Sequence, residues 1–168
     1  GVLHTACDTN LAVIANAEKK YPDINYESTF DRVLQNPDIK AVTIVTPAAT
    51  HYSFTKKALL KEKDVFVEKP LALTVKEGKE LITLARKKKK ILMVGHILQY
   101  HPAVIKLKKI ILKGRLGKIQ YIYSNRLNIG RLRIEENILW SFAPHDISTI
   151  LMLLEEEPVR ISAFGGAY

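Results

Sequence analysis

The spacing of four short apolar runs constrains the fold of this chain more than any other feature of the sequence. Hydrophobic and β-branched residues occupy positions 41–45, 65–67 and 91–94, and all of positions 2–7 except His4. Segments of helical length separate these runs, an alternation that is typical of βαβ units with parallel strands and crossover helices. The sequence therefore predicts an α/β fold with a doubly wound parallel sheet. The nearly continuous β-branched run at 41–45 further predicts a strand that is covered on both faces.

Capping signals place the helices between these strands. Residues 8–10 offer N-caps to a helix over 11–20, and Ser28 or Thr29 offers one to a short helix that ends before Pro37. A further helix is expected between the runs at 41–45 and 65–67. Thr74 and Glu77 have the spacing of a capping box, which predicts another helix start at this point.

The pattern changes after residue 96, which indicates a second domain over 97–168 behind a first domain over 1–96. Pro102 suits the first position of a helix that ends near Gly114. Residues 118–128 alternate in polarity and predict an antiparallel strand with one wet face. Pro144 predicts the start of an apolar helix that continues through 147–154, and residues 159–164 predict a last strand.

Composition narrows the classes of partner. The formal charge is +9, but the one dense basic run, residues 87–90, has no interleaved aromatic residues, so nucleic-acid binding rests on charge alone and is not predicted. A dinucleotide or nucleotide-sugar is an equally good anionic partner. The single cysteine, Cys7, excludes an intrachain disulfide, and no Cys/His spacing indicates a metal site. No apolar run approaches the ~20 residues of a membrane span, and we expect a cytoplasmic protein.

Lys69 is the first candidate for chemistry. It follows the strand at 65–67 within the sequence Glu68-Lys69-Pro70, and Pro70 ends the strand. Ligands of open α/β sheets bind at the carboxyl ends of the strands, so a lysine there is directed at the ligand crevice. The alternative is a solvated lysine at a strand end.

Three other positions have both a structural and a functional interpretation. Asp8 follows a strand and either caps a helix or binds the ribose hydroxyls of a dinucleotide. Thr46-Pro47 with His51 forms a turn at a strand end, which either lets a cofactor approach or merely carries a solvated histidine. His145, directly after Pro144, falls in the first turn of a predicted helix, whose dipole favours a neutral base; otherwise it is structural.

The order of these motifs resembles that of one family. The residues that carry the resemblance are Cys7-Asp8, Asn36-Pro37-Asp38-Ile39, Thr46-Pro47 with His51, Glu68-Lys69-Pro70-Leu71-Ala72, Val94-Gly95-His96, Tyr100, Pro102, 114–119 and 140–146. With them the chain resembles the glucose–fructose oxidoreductase, inositol dehydrogenase and MocA family of NAD(P)-dependent oxidoreductases. Residues 126–131 and 140–146 are similar to the nucleotide-sugar branch, especially to dehydrogenases that oxidise the 3-hydroxyl of UDP-N-acetylglucosaminuronate.

The resemblance implies a Rossmann-type domain followed by the beginning of an α/β substrate domain, in an enzyme that is a homo-oligomer at full length. It implies NAD as cofactor, with NADP as the alternative, and a sugar or nucleotide-sugar substrate. Lys69 would touch the reacting hydroxyl and His145 would accept its proton. The implied cofactor-binding residues are Asp8, Thr46, Pro47, His51, Glu68, Lys69 and His96. The implied substrate-binding residues are Tyr100, Arg126, Asn128, Arg131, Trp140, Ser141 and His145.

Two departures from the family pattern modify this expectation. Ser141 stands four residues before His145, where the family commonly has an aspartate, so a charge that would control the histidine is missing. No glycine-rich turn precedes the strand that ends before Asp8. We therefore expect an internal part of a longer dehydrogenase that is inactive by itself. The alternative is a non-catalytic remnant that acts as a binding protein.

Overall fold

The computed structural model describes residues 2–127 and 138–166, and the chain divides into two compact units, Gly1–Gly95 and His96–Tyr168. The elements of the first unit are β1 (Thr5–Cys7), α1 (Leu11–Lys20), β2 (Asn25–Glu27), α2 (Phe30–Gln35), β3 (Ala41–Ile44), α3 (Ala48–Leu60), β4 (Asp64–Val67), α4 (Val75–Lys88) and β5 (Leu92–Val94). The second unit contains a 3-10 turn (Ile97–Tyr100), α5 (Pro102–Leu112) and α6 (Ile138–Leu154).

All strand pairs of the first unit are parallel, which confirms the predicted α/β class. β1 pairs with β2, and β3, β4 and β5 form a second sheet in that order. Within the described ranges, β1 has no partner besides β2, and β3 has none besides β4. Each of these two strands therefore leaves one edge without a hydrogen-bonded neighbour.

The core of the first unit lies between the three-stranded sheet and its helices. Alternate residues of β4, Val65 and Val67, are buried there against Leu59 of α3 and Leu81 of α4. In β3 the side chains alternate: Ile44 is buried, and its neighbours along the strand are exposed. The prediction that β3 is covered on both faces is therefore wrong for the described structure, in which helices cover one face.

Local capping chemistry fixes the start of α4 as predicted. The Thr74 hydroxyl accepts a hydrogen bond from the Glu77 backbone N–H at 3.2 Å, and the Glu77 carboxylate accepts one from the Thr74 N–H at 3.2 Å. This reciprocal arrangement satisfies two N–H groups that the helix leaves without internal partners.

A buried lysine holds the connection between α2 and β3. The Lys63 ammonium donates hydrogen bonds to the carbonyls of Asn36, at 2.7 Å, and Ile39, at 2.6 Å. Burial lowers the pKa of Lys63, and the nearby charges of Lys40 and Lys90 lower it further. A residue that looks like a surface lysine in the sequence is therefore part of the framework.

In the second unit, α6 packs against α5 and the 3-10 turn. The side-chain amide of Gln99 in the turn donates to the Ser148 carbonyl of α6 at 3.2 Å, and Lys108 of α5 forms an ion pair with Glu155 at 2.6 Å. Pro102 occupies the start of α5, and Gly114 adopts a φ of 67° just after its end, as the turn signals predict.

Three predictions for the second unit are wrong. Residues 118–127 and 159–164 form no strand, and α6 begins at Ile138 rather than at Pro144, which lies inside the helix. The alternating side chains are exposed, for example Tyr121 at 83% and Val159 at 104%. An alternating pattern becomes a strand when a neighbouring strand satisfies its backbone groups, and the described residues offer these segments none.

Candidate functional site

The strand ends of the first unit carry most of the predicted site residues. Because β3, β4 and β5 are parallel and in register, the residues that follow them share one edge of their sheet. Asp8 holds the corresponding place after β1. This is the edge at which open α/β sheets bind their ligands.

Asp8 is exposed at the end of β1. Its Oδ1 accepts a hydrogen bond from the Asn10 N–H at 2.8 Å, and its own N–H donates to the Glu27 carbonyl at 3.2 Å. Asn10, rather than Asp8, caps α1, because its Oδ1 accepts from the Ala12 N–H. The neighbouring Cys7 thiol has a raised pKa, chiefly through burial and also through the charges of Asp8 and Glu27. The end of β1 thus presents an exposed carboxylate, that of Asp8.

Thr46 and Pro47 form the exposed link between β3 and α3. The Thr46 and Thr50 hydroxyls are hydrogen-bonded at 2.6 Å, and Thr50 donates to the Pro47 carbonyl at 2.7 Å. These bonds close the link into a compact turn with small side chains, as a turn beside a ligand requires.

His51 lies in the first turns of α3, not in the preceding loop. Only 1% of the residue is exposed, so it is not the solvated histidine that the sequence offered as one alternative. Its Nδ1 is 2.6 Å from the Pro70 carbonyl oxygen and its Nε2 is 2.7 Å from the Thr46 carbonyl oxygen. Both polar atoms of the ring therefore face backbone oxygens at two different strand ends.

Glu68 and Lys69 follow β4, and both residues are partly buried. The Glu68 N–H donates to the Ile44 carbonyl at 2.9 Å, which extends the β3–β4 pairing by one residue. The Glu68 Oε2 accepts from the Lys69 N–H at 3.2 Å, and the carboxylate lies against Gly95 at the end of β5. The Lys69-Pro70 peptide bond is cis. Glu68 thus connects the ends of three strands.

His96 and Tyr100 belong to the second unit. His96 is partly buried and precedes the 3-10 turn, and Tyr100 ends that turn with 61% of its surface exposed. The other predicted substrate residues lie at 126–145, and two of them, Asn128 and Arg131, are outside the described residues.

Arg126 is oriented by Asp146, a residue whose role the sequence interpretation missed. The Arg126 Nε donates to Asp146 Oδ2 at 2.6 Å, and the Ser124 hydroxyl donates to Oδ1 at 3.0 Å. The Arg126 bond, with a smaller contribution from Ser124, lowers the pKa of Asp146 although partial burial opposes the shift. The guanidinium also lies 6.0 Å from the Phe142 ring centroid.

His145 lies within α6 and not in its first turn, so the prediction that a helix N-terminus controls it is wrong. Ser141 precedes it by one helical turn, is 5% exposed, and therefore shares its side of α6. Trp140 stands one residue earlier and is 38% exposed. The side chain one turn before His145 is therefore an uncharged hydroxyl, where the family commonly has a carboxylate.

A cavity of 780 Å³ lies elsewhere in the first unit, between α3 and α4. Its lining includes Leu60, Val75, Leu84 and several lysines, all on the outer helices. The cavity is therefore not the strand-end site. Among the described residues, no helix is long and apolar enough to cross a membrane, and no cluster of His, Cys, Asp and Glu could hold a metal ion.

Known proteins share both the sequence and the fold. A UDP-N-acetylglucosamine 3-dehydrogenase from Acidithiobacillus ferrooxidans is 30% identical over 131 residues, which are 77% of this chain and 41% of the relative. A 1-carboxy-3-chloro-3,4-dihydroxycyclohexa-1,5-diene dehydrogenase from Comamonas testosteroni is 27% identical over 176 residues, covering 99% of this chain and 44% of the relative. The chain thus spans less than half the length of these curated relatives.

A solved structure shares the fold of this chain. The crystal structure of myo-inositol 2-dehydrogenase from Lactobacillus plantarum is 26% identical, superposes with a TM-score of 0.66, and covers 70% of this chain and 35% of its own. Residues 3–96, more than half of the chain, match the oxidoreductase family described by its NAD-binding Rossmann fold. The chain therefore belongs to this family of glucose–fructose oxidoreductase, inositol dehydrogenase and MocA proteins.

Proposed function

We propose that these residues belong to an NAD(P)-dependent dehydrogenase that transfers a hydride from a sugar or nucleotide-sugar hydroxyl to the cofactor. The observation that carries the proposal is the position of Lys69. It follows β4 at the carboxyl edge of a parallel sheet, beside a carboxylate that is itself fixed against β5. A lysine in this position can stabilise negative charge that develops on a substrate held at the edge.

The strand-end residues fit the ribose and nicotinamide portions of NAD. Asp8 offers an exposed carboxylate for ribose hydroxyls, the Thr46-Pro47 turn offers small side chains, and Glu68 and Lys69 would lie by the nicotinamide. His51 is buried with its Nε2 2.7 Å from the Thr46 carbonyl oxygen, and His96 follows the end of β5. Within 2–127 and 138–166 no glycine-rich turn is present to hold the pyrophosphate. When bound, NAD supplies the hydride acceptor.

Two residues divide the remaining chemistry. An alcohol holds its proton tightly near pH 7, so its oxidation needs a cation to stabilise the developing alkoxide and a base to take the proton. In the proposal Lys69 supplies the cation and His145 supplies the base. Ser141, one turn before His145, would hydrogen-bond in place of the family's aspartate.

The second unit supplies candidates for substrate recognition. The contact with Asp146 uses Nε of Arg126, and a guanidinium has further N–H groups that suit a carboxylate or a diphosphate. We propose that Arg126 binds the anionic part of a nucleotide-sugar, together with Asn128 and Arg131, while Tyr100 and Trp140 border the sugar. The similarity to a UDP-N-acetylglucosamine 3-dehydrogenase supports this substrate class.

The direct test replaces Lys69 by methionine in the complete gene product that contains this chain. Formation of reduced nicotinamide is followed with a panel of UDP-sugars and inositols. Loss of a single electrostatic stabiliser should reduce turnover by about 10²-fold or more and leave folding intact. Lys61→Met, at an exposed helix end, is the control. Equal turnover of wild type and Lys69→Met would remove Lys69 from the mechanism.

A second candidate function is a binding protein without catalysis, which Ser141 favours because it brings no charge to His145. A protein of this kind would bind NAD but would oxidise no member of the substrate panel. We further propose that residues 1–96 bind the cofactor and 97–168 begin the substrate domain, in a cytoplasmic homo-oligomer. Light scattering on the complete gene product tests its oligomeric state.

A further inference from the structure

The two hydrogen bonds of His51 determine which atoms of its ring carry protons. Both partners, the carbonyls of Pro70 and Thr46, can accept hydrogen bonds and cannot donate them. A neutral imidazole has one N–H group, so in either tautomer one ring nitrogen would point its lone pair at a carbonyl oxygen less than 3 Å away. The residue is 1% exposed, which leaves little access for a water molecule that could mediate between them.

A doubly protonated imidazolium satisfies both carbonyls. The distances agree with this state, since 2.6 and 2.7 Å are shorter than the usual ~2.9 Å of a neutral N–H···O bond and resemble charge-assisted bonds. His51 lies near the N-terminus of α3, whose dipole opposes a cation there. Burial of the ring also opposes a positive charge, and the inference is that two charge-assisted hydrogen bonds outweigh both effects. Along the chain, the charged residues closest to the Pro70 carbonyl are Lys69 and Glu68, and the one closest to the Thr46 carbonyl is Lys40.

The position of Lys69 depends on this arrangement. On its N-terminal side, Glu68 is held by the hydrogen bond from its N–H to the Ile44 carbonyl. On its C-terminal side, Pro70 is held by His51, which is in turn held to Thr46 at the end of β3. The backbone of Lys69 is therefore fixed on both sides to the same neighbouring strand.

We propose that His51 is a cationic positioning residue: it stands doubly protonated between the ends of β3 and β4 and sets the placement of Lys69. Because its two ring nitrogens face backbone carbonyls, this role is exercised through the backbone beside Lys69. The part of this inference that concerns Lys69 rests on the proposed dehydrogenase function, whereas the protonation state does not.

Nitrogen-15 NMR of the histidine rings in the 168-residue chain at pH 7 tests the protonation state. His101 provides a contrasting internal reference, because its Nδ1 accepts a hydrogen bond from the Ala103 N–H at 3.2 Å. We expect two protonated nitrogens for His51. The His51→Phe spectrum assigns the signals, and selective labelling does so if that variant fails to fold. An unprotonated ring nitrogen in His51 would overturn the proposal.

Turnover of the complete gene product tests the positioning role. His51→Gln keeps a donor for one carbonyl but cannot reproduce the cationic bridge, and we expect turnover to fall about 10-fold or more, with a smaller change in KM. On a Lys69→Met background the same substitution should change turnover less than twofold, because His51 acts through Lys69. Equal losses on both backgrounds would refute that route. An exposed control, His4→Gln, should leave both values unchanged.

Discussion

The Glu68 carboxylate occupies the space that a side chain at Gly95 would need. A methyl group on Gly95 would lie 3.2 Å from both carboxylate oxygens of Glu68. The two residues follow β4 and β5, whose pairing continues through the hydrogen bond from the Gly95 N–H to the Val67 carbonyl at 2.8 Å. Glycine at residue 95 thus leaves the room that the Glu68 carboxylate occupies at the end of β5.

Gly95→Ala should therefore displace Glu68 without unfolding the sheet. The carboxylate is the end of a flexible side chain and can move by a few tenths of an ångström, so we expect the free energy of unfolding to change by less than about 1 kcal/mol. The Lys69 N–H should lose its bond to Glu68 Oε2, which an amide NMR spectrum detects. Urea unfolding measures the stability.

Gly78→Ala is the matched control for this substitution. A methyl group there meets one atom of Leu71 at an ordinary 3.9 Å, and the residue lies inside α4. Alanine in a helix interior should stabilise the chain by roughly 0.5–1 kcal/mol. An unchanged Lys69 amide in Gly95→Ala would contradict the link between Gly95 and Glu68.

The role proposed for His145 predicts the pH profile of the complete gene product. Turnover in the direction of alcohol oxidation should fall toward acidic pH, because a protonated imidazole cannot accept the substrate proton. Ser141→Asp should shift this limb to higher pH, since an anion one helical turn away favours the imidazolium. A profile that His145→Ala leaves unchanged would assign the proton to another base.

Asp146 predicts an acid sensitivity of the second unit. Its pKa in the folded state is lowered by the Arg126 hydrogen bond, so its contribution to stability is complete above the ordinary value of 3.8 and is lost as the pH falls through the lowered value. Asp146→Asn should cost about 0.5–1 kcal/mol at pH 7, because the pair is partly exposed to solvent. The same substitution should also make the free energy of unfolding depend less on pH in the acidic range. Urea unfolding followed by Trp140 fluorescence measures both.

The strand ends in the described part of the chain lead to a prediction about the 168-residue chain itself. A dinucleotide needs backbone N–H groups and a helix N-terminus for its pyrophosphate, and the described strand ends offer none with a glycine-rich turn. We expect no tight binding of NAD or NADP and no dehydrogenase activity from this chain alone. Calorimetric titration decides the matter: micromolar affinity of a soluble monomer would contradict the prediction.

Signals within a few residues of one another were sufficient to predict much of the first unit. The Thr74 and Glu77 capping box and the apolar run of β4 depend on neighbours in the sequence, and both are present. β2 was missed because Asn-Tyr-Glu has no apolar pattern; its extended form comes from pairing with β1, some twenty residues away. Lys69 was located correctly at a strand end for the same local reason, although its chemical role is still a prediction.

Other features depend on partners that a sequence pattern does not identify. Arg126 and Asp146 are twenty residues apart and meet through the fold of the second unit. The turn pattern places His51 beside a strand end, yet the residue is buried in α3, with its two ring nitrogens within hydrogen-bond distance of carbonyls at two separate strand ends. Pro144 was interpreted as a helix start, because proline favours that position, but α6 begins earlier and continues through it.

Lys63 makes the α2–β3 connection accessible to chemical labelling in a selective way. An acylating reagent needs an unprotonated amine, a form that the lowered pKa of Lys63 favours, but it must also reach a nitrogen that is buried and bound to two carbonyls. Access is the stricter requirement, so Lys63 reacts when the connection opens, whereas the exposed Lys40 reacts from the closed state. The ratio of the two labelling rates therefore reports how often this connection opens.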